Sequence, residues 1–153
     1  MSLFERALAA DECAVVVHRS RDPELIRGPG SVRTFNRWKQ VTVVDLAPFP
    51  IDVLEEDVAA SDGEAVTVRG SAEGQVADPV AAATRVVDYR EAARLIVQTA
   101  IRSAVKERPA SGLRRQRAEV EAAVGEAVTR AVRDWGLVVS SLRLELPSGT
   151  RRD

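Results

Sequence analysis

The stretch Val76 to Arg90, VADPVAAATRVVDYR, separates two kinds of pattern. A period of two runs into it and periods near 3.6 run out of it, so sheet precedes it and helix follows. Asp78-Pro79 is a helix start. An Asp carboxylate accepts a hydrogen bond from the free amides of a first turn, and proline fits the first helical position because its missing N–H has no partner there. Ten residues on, Asp88-Tyr89-Arg90-Glu91 sets an Asp cap ahead of a Glu at the third helical position, close to a capping box.

Upstream, Leu3 to Ala10 reads as a short helix or a tail, with Leu3, Phe4, Ala7 and Leu8 on one side. Cys13 to Arg19 is β-branched and short, hence a strand. Arg19 to Glu24, with Asp22-Pro23, and Gly28-Pro29-Gly30 are turns. Val32 to Phe35 and Gln40 to Leu46 read as strands joined through Asn36 to Lys39. Pro48 and Pro50 place Phe49 at a bend or sheet edge, because proline cannot donate to a ladder, and Ile51 to Val58 reads as a further strand. From Gly63 the alternation is clean. Val66, Val68, Gly70, Ala72, Gly74 and Val76 share one face, whose three small residues require a bulky neighbour, a helix, lying close.

Downstream, Pro79 to Val86 is a short helix and Tyr89 to Lys106 a longer one. In the longer helix Ala93, Val97, Ala100, Ile101, Ala104 and Val105 mark the core face, widened by Ala92, Leu95 and Ile96. Pro109 and Gly112 end it. A third helix runs from Leu113 to Asp134, with Val120, Val124, Ala127, Val128, Ala131, Val132 and Trp135 at core spacing, and its alanine-rich stripe reads as core. Gly136 suits the left-handed cap, and Leu137 to Leu146 is the last strand, with Leu142, Leu144 and Leu146 inward. The fold class is therefore α+β: a mostly antiparallel N-terminal sheet, three helices and a final strand. The expected organisation is a tail or short helix over 1–11, one domain over 12–147 and a disordered tail over 148–153.

A chain of 153 residues is long enough for a real core, and 45% hydrophobic with 29% charged residues is ordinary for a soluble protein. The net charge of −1 gives no basic field for nucleic acid, and no nucleic-acid partner is expected. Of 22 basic residues only Lys39 and Lys106 are lysines, which reads as the coding bias of a GC-rich bacterium. One cysteine, Cys13, excludes an intramolecular disulfide. No segment reaches the roughly 18 to 20 apolar residues of a membrane span, and Glu5, Arg6 and Asp11 interrupt any signal-peptide core. The expectation is a cytoplasmic chain.

The ordered set Gly28-Pro29-Gly30, Val44-Asp45-Leu46, Asp62-Gly63, Asp78-Pro79, Asp88-Tyr89-Arg90, Gln98-Thr99, Ile101-Arg102-Ser103, Arg117, Trp135-Gly136 and Leu142-Arg143-Leu144-Glu145-Leu146-Pro147 resembles the Band 7, or SPFH, family of stomatins, prohibitins, flotillins and slipins. The resemblance covers residues 12 to 147. It implies a membrane-associated scaffold that organises microdomains or regulates proteases and channels. Relatives usually carry a hydrophobic N-terminal anchor and continue into a long Ala/Glu-rich coiled coil. Neither pattern occurs in these residues, and GSAEGQV stands where relatives have a conspicuously apolar strand, so the expectation is a slipin-like domain without anchor or coiled coil.

The residues themselves offer no catalytic, cofactor or metal set. His18 is the only histidine and reads as a surface residue, while Cys13 reads as a small buried hydrophobe. Gly28-Pro29-Gly30-Ser31 is no phosphate loop, since Arg33 stands where a dinucleotide fingerprint needs glycine. Glu55-Glu56-Asp57 lacks the alternating spacing of a calcium loop and reads as a solvated edge. The candidate contact surface is the basic cluster Lys106, Arg108, Arg114, Arg115 and Arg117, facing an acidic lipid surface or a partner. The expected function is a non-enzymatic scaffold or adaptor of the stomatin/slipin class, acting through protein contacts and homo-oligomerisation, with a membrane protein or protease as partner. The alternative is a peripheral membrane-binding module at the inner face of the cell membrane, using that Arg cluster.

Overall fold

Short β-branched runs broken by Gly, Pro and Asp make short strands, and long runs make long ones. The computed structural model describes the backbone of residues 5–9, 13–18, 24–27, 30–34 and 40–147, and the side chains of residues 44–147. The elements in order are β1 (Glu5–Ala9), β2 (Cys13–His18), β3 (Glu24–Arg27), β4 (Gly30–Thr34), β5 (Gln40–Asp45), β6 (Phe49–Ala59), β7 (Ala65–Val76), α1 (Pro79–Thr84), α2 (Tyr89–Lys106), α3 (Ala110–Arg115), α4 (Arg117–Val132), a 3-10 turn (Arg133–Trp135) and β8 (Leu137–Glu145). The fold class is α+β, as the sequence indicates.

Two units divide these elements. The first takes the described residues of Met1–Pro48, Gln75–Tyr89 and Asp134–Val138. β2 lies between β3 and β5, antiparallel to both, and β1 pairs antiparallel with β4 from Glu5↔Thr34 to Ala9↔Gly30. The helix or tail expected at Leu3 to Ala10 is thus corrected over Glu5–Ala9 to a strand: pairing with β4 overrides the helical preference of Glu, Arg, Ala and Leu. β3 was not legible as a strand. The turns read at Arg19 to Glu24 and at Gly28-Pro29-Gly30, the Asn36 to Lys39 connection and the tail after Pro147 lie outside the described residues, apart from Glu24 opening β3 and Gly30 opening β4.

Within this unit the chain closes on itself between Asp78 and Gly136. The amides of Ala77 and Asp78 both donate to the Gly136 carbonyl, at 2.8 and 3.0 Å. The Asp78 carboxylate caps α1 by accepting from the Ala81 amide at 3.2 Å, with Pro79 in the first turn as expected. Arg85 at the end of α1 donates to the Asp134 carbonyl at 2.7 Å. Gly136 has φ +69°, and a Cβ there would fall on the Asp78 carbonyl oxygen and 2.7 Å from the Asp78 Cβ. Only glycine allows both the left-handed turn and this approach.

The second unit takes the described residues of Phe49–Gly74, Arg90–Arg133 and Val139–Asp153. Its sheet has the order β6-β7-β8, and β6 pairs antiparallel with β7 from Phe49↔Gly74 to Ala59↔Ala65. Val66, Val68 and Gly70 are buried, as the alternation requires. The bulky neighbour is Ile101 of α2, whose Cδ1 lies 2.5 Å from where a Gly70 Cβ would stand. Over Gly74 the cover is instead the Phe49 ring of the adjacent strand.

α2 has the expected bounds, but its core stripe is narrower than read. Ala93, Val97, Ile101 and Val105 are buried, whereas Leu95 is 47% exposed. The single third helix becomes two. Gln116, at φ −109° and ψ 33°, leaves helical geometry between α3 and α4, giving four helices among the described residues in place of three. Along α4 only Val120, Val124, Val128 and Val132 are buried, while Ala127 and Ala131 are exposed. The alanine stripe is therefore surface: one valine per turn makes the contact.

Gly136→Ala is expected to lower stability by about 2–5 kcal/mol, combining ~1–2 for a left-handed non-glycine with ~1–3 for the displaced neighbour. Gly63→Ala is the control, because Gly63 has φ +83° but nothing within 4 Å of its would-be Cβ. It should cost only the conformational part in urea unfolding. Equal losses for the two variants would contradict the close approach.

Candidate functional site

Alternation along the strands of the second unit turns every other side chain away from α2. Leu54 and Glu56 on β6, Thr67 and Arg69 on β7, and Glu145 on β8 share this outer face, with Leu54 directly opposite Arg69. They line a hollow of about 470 Å³, closed at one side by Arg117 and by Leu146-Pro147. Leu54 is 49% exposed, although it is a large apolar side chain.

The charges of the hollow differ in their ties. Arg117 leans on Glu121 at 3.8 Å, and the same Glu121 oxygen accepts from the Leu144 amide at 2.9 Å, so α4 is stitched to β8 beside the hollow. The side chains of Glu56, Arg69 and Glu145 make no hydrogen bond or ion pair among the described residues. Two carboxylates and two guanidinium groups thus surround one exposed leucine. Of these, only Arg117 was a sequence candidate. The missed signal was an apolar residue, Leu54, at the outward phase of a strand.

The acidic trio does not behave as one solvated edge. Glu55 is 2% exposed and faces inward, Glu56 faces outward, and Asp57 sits at φ 53° in a β-bulge. The bulge explains the pattern. Glu55 pairs with Val68 and Val58 with Val66, so the extra residue keeps both Glu55 and Val58 inward despite their odd spacing. The buried carboxylate is met by α2, where Arg102 Nε donates to Glu55 Oε2 at 2.6 Å, while Oε1 has no partner. One turn from the helix start, Arg94 makes a bidentate contact with Glu91 and holds its carboxyl below the usual range, chiefly through these hydrogen bonds.

The five basic candidates all fall in the second unit but do not form one patch of free charge. Lys106 ends α2 and Arg114 and Arg115 end α3, where cations suit the helix dipole. Arg114 lies 4.0 Å from Glu64, and Arg117 is engaged as above. Arg108 is half-buried, with its Nη1 shielded and unpartnered, and its carbonyl accepts from the Ser61 amide at 3.0 Å. Lys106 and Arg115 are exposed and unpaired among the described residues.

Among the described residues no group of three or more His, Cys, Asp or Glu is placed to hold a metal ion. No helix among them is long and apolar enough to cross a membrane. The side chains of Cys13 and His18 lie outside the described ones.

An α+β domain with a capped strand-to-helix hinge clasped to a Trp-Gly turn defines the class. The sequence pattern of the SPFH domain / Band 7 family matches residues 9–148, and the chain belongs to that family. It is 28% identical over 129 residues to an uncharacterized protein of Archaeoglobus fulgidus, covering 82% of this chain and 52% of that protein. It is 29% identical over 129 residues to a stomatin homolog of Pyrococcus abyssi and 28% to one of Pyrococcus horikoshii, in each case over 82% of this chain and 48% of the relative. The chain thus spans about half the length of these curated relatives.

Because Arg102 is half-exposed while Glu55 is buried, the two sides of this pair respond unequally to substitution. Arg102→Ala leaves a buried carboxylate uncompensated and is expected to cost about 1–3 kcal/mol, below the ~3–5 of a fully buried pair. Glu55→Met, which removes the charge and fills the site, is expected to stay within about 1 kcal/mol of the parent in urea unfolding. A larger loss for Glu55→Met than for Arg102→Ala contradicts this ledger of burial and charge.

Proposed function

We propose that this chain is a non-enzymatic scaffold or adaptor domain of the stomatin class that works through protein–protein contact and self-association, with a membrane protein or protease among its partners. The observation that supports this reading is the outer sheet face, where an exposed leucine and unpaired charges of both signs line a hollow. Charges of both signs left without a partner in their own chain remain available to pair with those of another. The two stomatin homologs supply the class by analogy. In sedimentation equilibrium over a concentration series, the weight-average mass is expected to rise above the 16.6 kDa of one chain. A mass fixed at that value at every concentration contradicts self-association.

A second reading, peripheral binding to an anionic membrane surface, is favoured by Lys106 and Arg115, which are exposed and carry no carboxylate partner among the described residues. Each basic residue near such a surface contributes on the order of 1 kcal/mol. Co-sedimentation with anionic vesicles should therefore weaken roughly 30-fold in the double variant Lys106→Gln, Arg115→Gln and should be reversed by salt. Equal recovery with anionic and neutral vesicles at low salt ends this reading.

A further inference from the structure

We propose that the outer face of the β6-β7-β8 sheet is a self-complementary docking surface for a second copy of this chain, with Arg69 of each copy set against Glu56 and Glu145 of the other around Leu54. The proposal rests on the self-association reading and deepens it by naming the face, the occupant and the charge pairs.

Charge complementarity favours a second copy over a partner of one sign. A partner of one sign meets like charges at half of the positions: an anionic ligand faces Glu56 and Glu145, and a cationic one faces Arg69 and Arg117. A two-fold contact has the opposite property, because each residue i that meets j is matched by a j that meets i. Such a contact needs both signs on one patch, held apart by the scaffold. That is the arrangement present. Arg69 stands on the central strand of the sheet, while Glu56 and Glu145 stand on the two flanking strands. None of the three is neutralised within its own chain among the described residues, so each remains available across a two-fold axis.

Apolar burial adds to this. Leu54 lies opposite Arg69 in the strand register, so the same contact that pairs the charges also covers the exposed leucine. Arg117 is held back toward Glu121, which leaves Arg69 as the principal cation of the patch. With one exposed leucine and a few charges to bury, the contact belongs among weak, concentration-dependent ones.

Charge reversal tests the pairing. Arg69→Glu and the double variant Glu56→Arg, Glu145→Arg each place like charges across the axis. Each alone is expected to self-associate at least ~10-fold more weakly than the parent in sedimentation equilibrium. An equimolar mixture of the two is expected to recover association, because Glu at 69 then meets Arg at 56 and 145, and the pairs are opposite again. The exposed, outward positions leave the far-UV circular dichroism of all variants unchanged, and Leu54→Ser provides a further variant with the same expected weakening. Parental association in both reversed variants, or no recovery on mixing, overturns this face as the interface while leaving self-association standing. A parent chain that stays at one-chain mass overturns both.

Discussion

The Gly136 carbonyl accepts two amides, from Ala77 and Asp78, and so joins the point where β7 ends to the point where β8 begins. Those points are separated by the whole helical part of the sequence. The contact requires a residue with no Cβ, a left-handed backbone at position 136 and an Asp whose side chain is already turned to cap α1. One carboxylate and one missing side chain therefore decide where a strand stops, where a helix starts and where the last strand enters. Loop-closure entropy resists so distant a junction, and the several hydrogen bonds made there together offset it.

Elsewhere the chain is built from small residues, and their placement follows from that. With aromatics at only 4%, contact between layers relies on valine and on glycine that lets another group approach. Gly70 admits Ile101, Gly74 admits the Phe49 ring, and α4 touches its neighbours through one valine per turn. The same economy leaves a buried glutamate, Glu55, in line with Phe49, Ile51 and Val53, tied to α2 by Arg102. The bulge at Asp57 then restores the inward phase for Val58.

Legibility in the sequence followed local chemistry. α2 was read with its observed ends because an Asp-Tyr-Arg-Glu start and a Pro109 stop are both local signals. β7 was read because its alternation is uninterrupted. β1 was misread because ERALA favours helix until β4 lies beside it. The break at Gln116 carries no breaker residue, so one helix was expected where two form. Glu55 was expected in solvent because nothing before folding marks the bulge that turns it inward. The layout of charge was the least legible: clustering along the chain groups five basic residues, whereas packing draws Arg108, Arg114 and Arg117 toward their own chain and gathers Leu54, Glu56, Arg69 and Glu145 from three strands. Sequence neighbours make a charge run, but only a sheet register makes a face.

Scaffolding asks a domain to be rigid at its junctions and to present surface that its own chain does not satisfy. In the scaffold role proposed above, the clasp answers to the first and the outer sheet face to the second. Native-state hydrogen exchange at Ala77 and Asp78 tests the clasp most directly, since both amides donate to the Gly136 carbonyl. They are expected to exchange as slowly as the central amides of β2 in the same unit, opening only with that unit. Exchange of both at the rate of an unstructured chain, with β2 still protected, would contradict the clasp.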